Sequence, residues 1–129
     1  MSRLFLIVLS LMIVLISGCA KPDSVNTIKS PLDGVYYTVE TSYGHGAASA
    51  DFTKVYAHIE HGSRSDKKLV IDGDYLEFSS IFWTGPQDVV LCIKAGITDS
   101  FRNEVTLIVE SVSMTIHNHL QEHCDSVGK

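Results

Sequence analysis

Hydrophobic and polar residues alternate along several stretches of the chain, and this alternation predicts β-strands. Within residues 34–43, Val35, Tyr37 and Val39 fall on one face, and polar or aromatic residues fall on the other. Residues 104–117 repeat the pattern in two successive runs. Each run is typical of a strand with one buried face, and the pair suggests a hairpin near the C-terminus.

Residues 47–61 fit two periods. Phe52, Val55 and Ile59 have the spacing of one helix face, whereas Val55, Ala57 and Ile59 have the spacing of one strand face. A strand is favoured because both flanking segments are strand-like and a sheet needs neighbouring strands.

Turn residues separate the remaining apolar runs. Asp72 and Gly73 lie between residues 68–71 and 75–80, and an Asp-Gly pair between two strand-like runs predicts a tight hairpin. Residues 96–102 are predicted to form a loop.

Six or seven short strands at roughly 8–12-residue intervals predict an all-β antiparallel β-sandwich over residues 34–129. The order of its runs resembles the immunoglobulin-like domains of small envelope lipoproteins, and the resemblance implies an immunoglobulin-like sandwich. The chain departs from the antibody pattern, because Trp83 precedes Cys92 and no earlier cysteine of the domain could bridge to it.

The N-terminus has the pattern of an export signal. Arg3 is followed by residues 4–17, which are apolar except for Ser10. A helix of that length rises roughly 21 Å, which is short of the ~30 Å hydrocarbon core of a bilayer. A cleavable signal peptide is therefore favoured over a permanent span.

Residues 16–19, Ile-Ser-Gly-Cys, resemble the lipobox of bacterial lipoproteins. The resemblance implies that Cys19 carries a diacylglycerol, that the chain is cut before it, and that its new amine is also acylated. Two or three acyl chains hold a protein at a membrane where one chain does not. Ala20, in place of the Asp associated with inner-membrane retention, favours the outer membrane, with the domain facing the periplasm.

Three segments follow from this interpretation. Residues 1–18 are the signal peptide, residues 19–33 are a flexible tether containing Pro22 and Pro31, and residues 34–129 are the folded domain. An inner-membrane or surface-exposed location remains an alternative.

Cys92 and Cys124 remain once Cys19 is assigned to the lipid. Two cysteines in an exported chain predict a disulfide, with free thiols or pairing to a partner as the alternative.

The formal net charge of −5 is mild and spread along the chain. It argues against nucleic acid as a partner and against attachment to anionic lipid through a basic patch. Neither a GxSxG nucleophile motif nor a phosphate-binding glycine loop occurs. A non-catalytic protein without a cofactor, apart from the covalent lipid, is therefore expected.

The C-terminal histidines suggest a second interpretation. His117, His119 and His123 lie beside Cys124 and could form a zinc or copper site. The simpler interpretation is an exposed polar segment.

Trp83, Phe82 and Tyr75 form an apolar aromatic group near a predicted turn. They are either part of the core or a contact surface for a partner.

These observations predict a membrane-anchored module that binds another envelope protein through a loop or a sheet edge. An immunity or inhibitor protein and a subunit of a secretion machine are both compatible with it. A periplasmic metal-binding protein is the alternative.

Overall fold

The structure is a computed structural model that describes residues 21–44, 51–122 and 124. In these ranges the chain is all-β, as predicted, and no helix there is long and apolar enough to cross a membrane. The predicted signal peptide, Cys19 and His123 lie outside the described residues. The strands are β1 (Ser24–Lys29), β2 (Val35–Ser42), β3 (Phe52–His61), β4 (Arg64–Gly85), β5 (Asp88–Phe101), β6 (Glu104–Val109) and β7 (Val112–Glu122).

All seven strands belong to one sheet in the order β1-β2-β3-β4-β5-β7-β6. Every neighbouring pair is antiparallel except β5 and β7, which run parallel because β7 inserts between β5 and its own hairpin partner β6. The sheet is therefore mixed, and the prediction of a purely antiparallel arrangement is wrong at this pair. The immunoglobulin-like sandwich is not confirmed, since the strands form one continuous sheet that does not close.

The long strand β4 curls the sheet around its core. Its residues Arg64–Asp74 pair with β3, while the stretch from Ile71 to Gly85 pairs with β5 through several register shifts. The curl brings β6 back over the start of β4, where the backbone N–H of Ile108 donates to Oδ2 of Asp66 at 2.8 Å. Residues far apart in the strand order thus share one core.

The predicted hairpin at Asp72-Gly73 is wrong, because β4 continues through both residues. A Cβ at Gly73 would collide with the backbone carbonyl of Ile97 in β5, so this glycine permits a close approach of strands. The predicted loop over residues 96–102 is wrong for residues 96–101, since β5 extends to Phe101 and pairs with this part of β4.

The strand alternative for residues 47–61 is confirmed over Phe52–His61, and residues 47–50 lie outside the described part. Val55, Ala57 and Ile59 are buried on the inner face of β3. Burial of this face against the curled sheet selects the strand period over the helical one.

The prediction of a flexible tether is wrong for Ser24–Lys29, which form β1 and pair along their whole length with β2. The six residues are mostly exposed and show no alternating pattern, but Ile28 packs against the core. Backbone pairing and one apolar contact order a segment whose side chains alone resemble a linker.

The core combines inward residues from both halves of the curled sheet. Its fully buried side chains include Tyr37, Val55, Ile71, Leu91, Leu107 and Ile116. The ring of Trp83 meets the ring of Tyr37 edge to face, with centroids 5.2 Å apart.

A disulfide joins Cys92 and Cys124, as the sequence predicts, with Cα atoms 5.9 Å apart. Cys92 is buried in β5. The bond therefore attaches the chain beyond β7 to a core strand.

Candidate binding groove between two strand edges

A groove of about 490 Å³ lies between β1–β3 and the second half of β4. The first wall carries Asn26, Ile28, Val39, Thr41, Tyr43, Asp51 and Thr53, and the second carries residues 75–81 together with Lys94 of β5. The groove is thus a consequence of the curl that leaves the sheet open on this side.

Two unpaired strand edges flank the groove. β1 pairs only with β2, and residues 75–85 of β4 pair only with β5 among the described strands. An unpaired edge presents backbone N–H and C=O groups that can accept another strand. The groove therefore combines a side-chain surface with available backbone hydrogen-bonding groups.

Tyr75 marks the point at which β4 leaves β3. Its φ is 53°, a left-handed value, and its N–H donates to the carbonyl of Asp51 at 2.7 Å. Gly96 packs beneath it so closely that a Cβ there would collide with the Tyr75 carbonyl. The bend buries Leu76 and leaves the Tyr75 side chain 58% exposed at one end of the groove.

The groove lining is amphipathic. Ile28, Val39, Phe78 and Ile81 are partly buried apolar residues that also pack against the core. Hydroxyl groups of threonine and serine residues surround them. Such a lining suits an extended peptide, because alternate side chains of a strand require apolar contacts while its backbone requires hydrogen bonds.

The three aromatic residues singled out in the sequence do not form one patch. Tyr75 lines the groove, but Trp83 is half-buried against the core and Phe82 is 39% exposed on the next position of the strand. Adjacent strand residues point to opposite faces, which separates Phe82 from Trp83.

Two of the three histidines expected to bind metal, His117 and His119, are on β7, and the third, His123, lies outside the described residues. His117 Nδ1 lies 3.5 Å from Glu104 Oε2, and His119 Nε2 lies 3.3 Å from Asp88 Oδ1. Both histidines are exposed and share one face of the strand. Over residues 21–44, 51–122 and 124, no three His, Cys, Asp or Glu side chains are placed to hold one ion. The zinc or copper site remains a prediction.

The outer face of β2 and β3 carries an aromatic cluster that the sequence did not suggest. The rings of Tyr36 and His58 are stacked with centroids 4.6 Å apart, and Tyr56 meets His58 at a steep angle. Thr38 Oγ1 lies 2.7 Å from His58 Nε2. Only the register of β2 and β3 brings these rings together, so no local sequence pattern could have indicated it.

Charged residues contact the aromatic cluster on this outer face of β2 and β3. Lys67 Nζ lies 3.9 Å from the centroid of Tyr56, and the Tyr36 hydroxyl donates to Glu60 Oε1 at 2.7 Å. That hydrogen bond raises the pKa of Tyr36. Partial burial, and then the nearby Lys67 ammonium, lower the pKa of His58.

Comparison of the chain with protein-family models, curated proteins and solved structures finds no match.

Proposed function

We propose that the chain is a non-catalytic lipoprotein of the bacterial cell envelope, anchored through Cys19, that binds an extended segment of a partner protein in the groove. The observation that carries the proposal is the pair of unpaired strand edges, on β1 and on residues 75–85 of β4, on either side of a partly apolar groove.

Strand addition explains how the groove binds an extended protein segment without catalytic groups. A guest segment gains backbone hydrogen bonds from a free edge, and its alternate side chains reach the apolar floor around Ile28, Val39 and Phe78. Hydrogen bonds along the edge supply affinity, and the shape of the floor supplies specificity. An immunity or inhibitor protein and a secretion-machine subunit would both use such a contact.

The lipid anchor supports the same class of function. Acylation at Cys19 would confine the module to a membrane surface, where a weak strand-addition contact is strengthened by the high local concentration of an envelope partner. The lipobox resemblance of residues 16–19 is the basis for this part of the proposal.

Site-specific photo-crosslinking in intact cells tests the groove. A photoreactive phenylalanine analogue replaces Glu77, which is exposed and lines the groove, or Thr106, which is exposed on β6 outside it. We expect a discrete crosslinked partner from position 77 and none from position 106.

A blocking variant sharpens the experiment. Ser80→Arg fills the groove from an exposed position, while Thr106→Arg adds the same side chain elsewhere. Loss of the crosslink only with Ser80→Arg supports the proposal. The same product from both crosslinking positions, or a product that Ser80→Arg leaves unchanged, would refute it.

A further inference from the structure

The sheet begins very close to the residue proposed to carry the lipid. Asp23 is fixed to β2, because its N–H donates to the Thr41 carbonyl at 2.9 Å and its Oδ2 accepts the N–H of Tyr43 at 2.6 Å. Three residues lie between Cys19 and Asp23, which makes four Cα-to-Cα steps, and an extended chain spans at most ~3.5 Å per step. The chain between these two residues can therefore span at most about 14 Å.

Pro22 shortens the connection further. It is half-buried and lines a shallow depression with Ser42 and Phe52. Only residues 20 and 21 then lie between the lipidated residue and a residue packed on the sheet. These three Cα-to-Cα steps span at most about 10 Å, which is of the same order as the roughly 5–7 Å depth of a headgroup layer.

Exposed apolar side chains gather at this same end of the molecule. Ile97 pairs with Asp74, which pairs with Phe52 at the start of β3. The exposed fractions are 55% for Val25, 51% for Tyr43, 58% for Tyr75 and 67% for Ile97. Four exposed apolar side chains at the end that adjoins the proposed lipid are a candidate contact surface.

The polar groups at this end fit a phospholipid headgroup layer. Lys21 and Lys54 are exposed, and their long flexible side chains suit contact with lipid phosphate groups. The carboxylates of Asp23 and Asp51 accept backbone N–H groups of Tyr43 and Gly44, at 2.6 and 3.0 Å. Their negative charge disfavours a strongly anionic surface, so zwitterionic phospholipid is the fitting partner.

We propose that the end of the sheet formed by Val25, Tyr43, Tyr75 and Ile97 rests in the headgroup layer of the membrane that holds the Cys19 lipid. This inference rests on the acylation of Cys19 proposed above. Tyrosine rings are suited to this layer because one end is apolar and the other polar. The lipid and the apolar side chains together fix one orientation of the domain on the membrane. Tyr75 then lies next to the bilayer, and Ile108 lies on the side away from the bilayer.

Depth-dependent quenching tests the orientation. The full acylated protein, with an environment-sensitive fluorescent amino acid at position 97 or 108, is reconstituted into phosphatidylethanolamine vesicles with a minor share of phosphatidylglycerol. Both sites are exposed isoleucines, 67% and 60%, so they are matched in chemistry. A nitroxide on the lipid headgroup is the quencher, and palmitate incorporation is measured on the same sample.

We expect several-fold stronger quenching at position 97 than at position 108. We also expect Tyr43→Ser combined with Tyr75→Ser to reduce the difference, and additional phosphatidylglycerol not to increase it. Equal quenching at both positions in palmitate-labelled protein would overturn the orientation and leave the anchor intact. Absence of palmitate would overturn both proposals.

Discussion

The hydroxyl group of Tyr37 in β2 donates a hydrogen bond to Oδ1 of Asn118 in β7, and both side chains are buried. Asn118 also donates from Nδ2 to the carbonyl of Arg102 at 3.1 Å, and from its backbone N–H to the carbonyl of Asn103 at 2.7 Å. One side chain thus joins β2, β7 and the corner between β5 and β6. Burial keeps the pKa of Tyr37 far above its usual value, so its hydroxyl stays protonated as a donor.

Tyr37→Phe tests this buried hydrogen bond. The variant removes the donor and leaves the buried Asn118 oxygen without it, so we expect a loss of about 1–3 kcal/mol in the free energy of unfolding. Tyr36→Phe makes the same chemical change next to it, where the hydroxyl bonds Glu60 at the surface, and should cost less than about 1 kcal/mol. Chemical denaturation of both variants measures the difference, and equal losses would contradict the role assigned to Asn118.

Gly73→Ala tests the close approach of β4 and β5. A methyl group at Gly73 would meet the backbone of Ile97, which cannot move without disturbing the sheet, so we expect destabilisation of at least about 2 kcal/mol. At Gly85 the nearest atom to an added Cβ is Asp88 Oδ2 at 3.6 Å, an ordinary contact. Gly85→Ala should therefore change stability by less than about 1 kcal/mol in the same denaturation measurement. A neutral Gly73→Ala would show that the strands are farther apart.

Gly73 illustrates which parts of the fold the sequence could predict and which it could not. Alternation predicted β2, β6 and β7, and neighbouring strands favoured the right choice for β3. The Asp72-Gly73 pair has the composition of a turn, yet its glycine serves a contact with a residue more than twenty positions away. No local pattern contains that information.

The first strand and the groove could not be predicted from the sequence for a related reason. The side chains of β1 show no period and therefore predict a linker, whereas the order of this strand comes from backbone pairing with β2. Of the candidate contact residues, Tyr75 lines the groove, whereas Trp83 packs against the core. The groove itself depends on the bend of β4, which is a property of the whole sheet.

Stability should depend on the ionisation of His58. Its folded-state pKa is lowered, by burial first and then by Lys67, while Glu40 and Glu60 oppose the shift. At a pH above the ordinary histidine pKa of 6.5, His58 is neutral in both the folded and the unfolded state and does not affect the folding equilibrium. As the pH falls below that value, the unfolded chain takes up the proton first, so stability decreases until the lower folded-state pKa is passed.

The corresponding measurement compares the wild type with His58→Gln between about pH 7.5 and about pH 5.5. We expect the free energy of unfolding of the wild type to fall more steeply towards acid than that of the variant. His61→Gln, an exposed histidine at the end of the same strand, serves as the control and should follow the wild type. Parallel curves for the wild type and His58→Gln would contradict the assignment.

The Cys92–Cys124 disulfide closes a segment with a sequence separation of 32 residues. Loop closure of that size stabilises by about 3–4 kcal/mol in the chain-entropy picture. Denaturation with and without a reductant should show a loss of that order, and Cys124→Ser should show the same loss without a reductant. Unchanged stability on reduction would mean that the bond does not form in the purified protein.

The proposed anchor is tested most directly by labelling growing cells with radioactive palmitate and following the protein through membrane fractionation. We expect the wild type to carry the label and to sediment with the membranes. Cys19→Ser should carry no label and should keep its signal peptide. A wild type without label, or a Cys19→Ser variant processed and fractionated like the wild type, would contradict the proposal of a module held at the membrane by a lipid on Cys19.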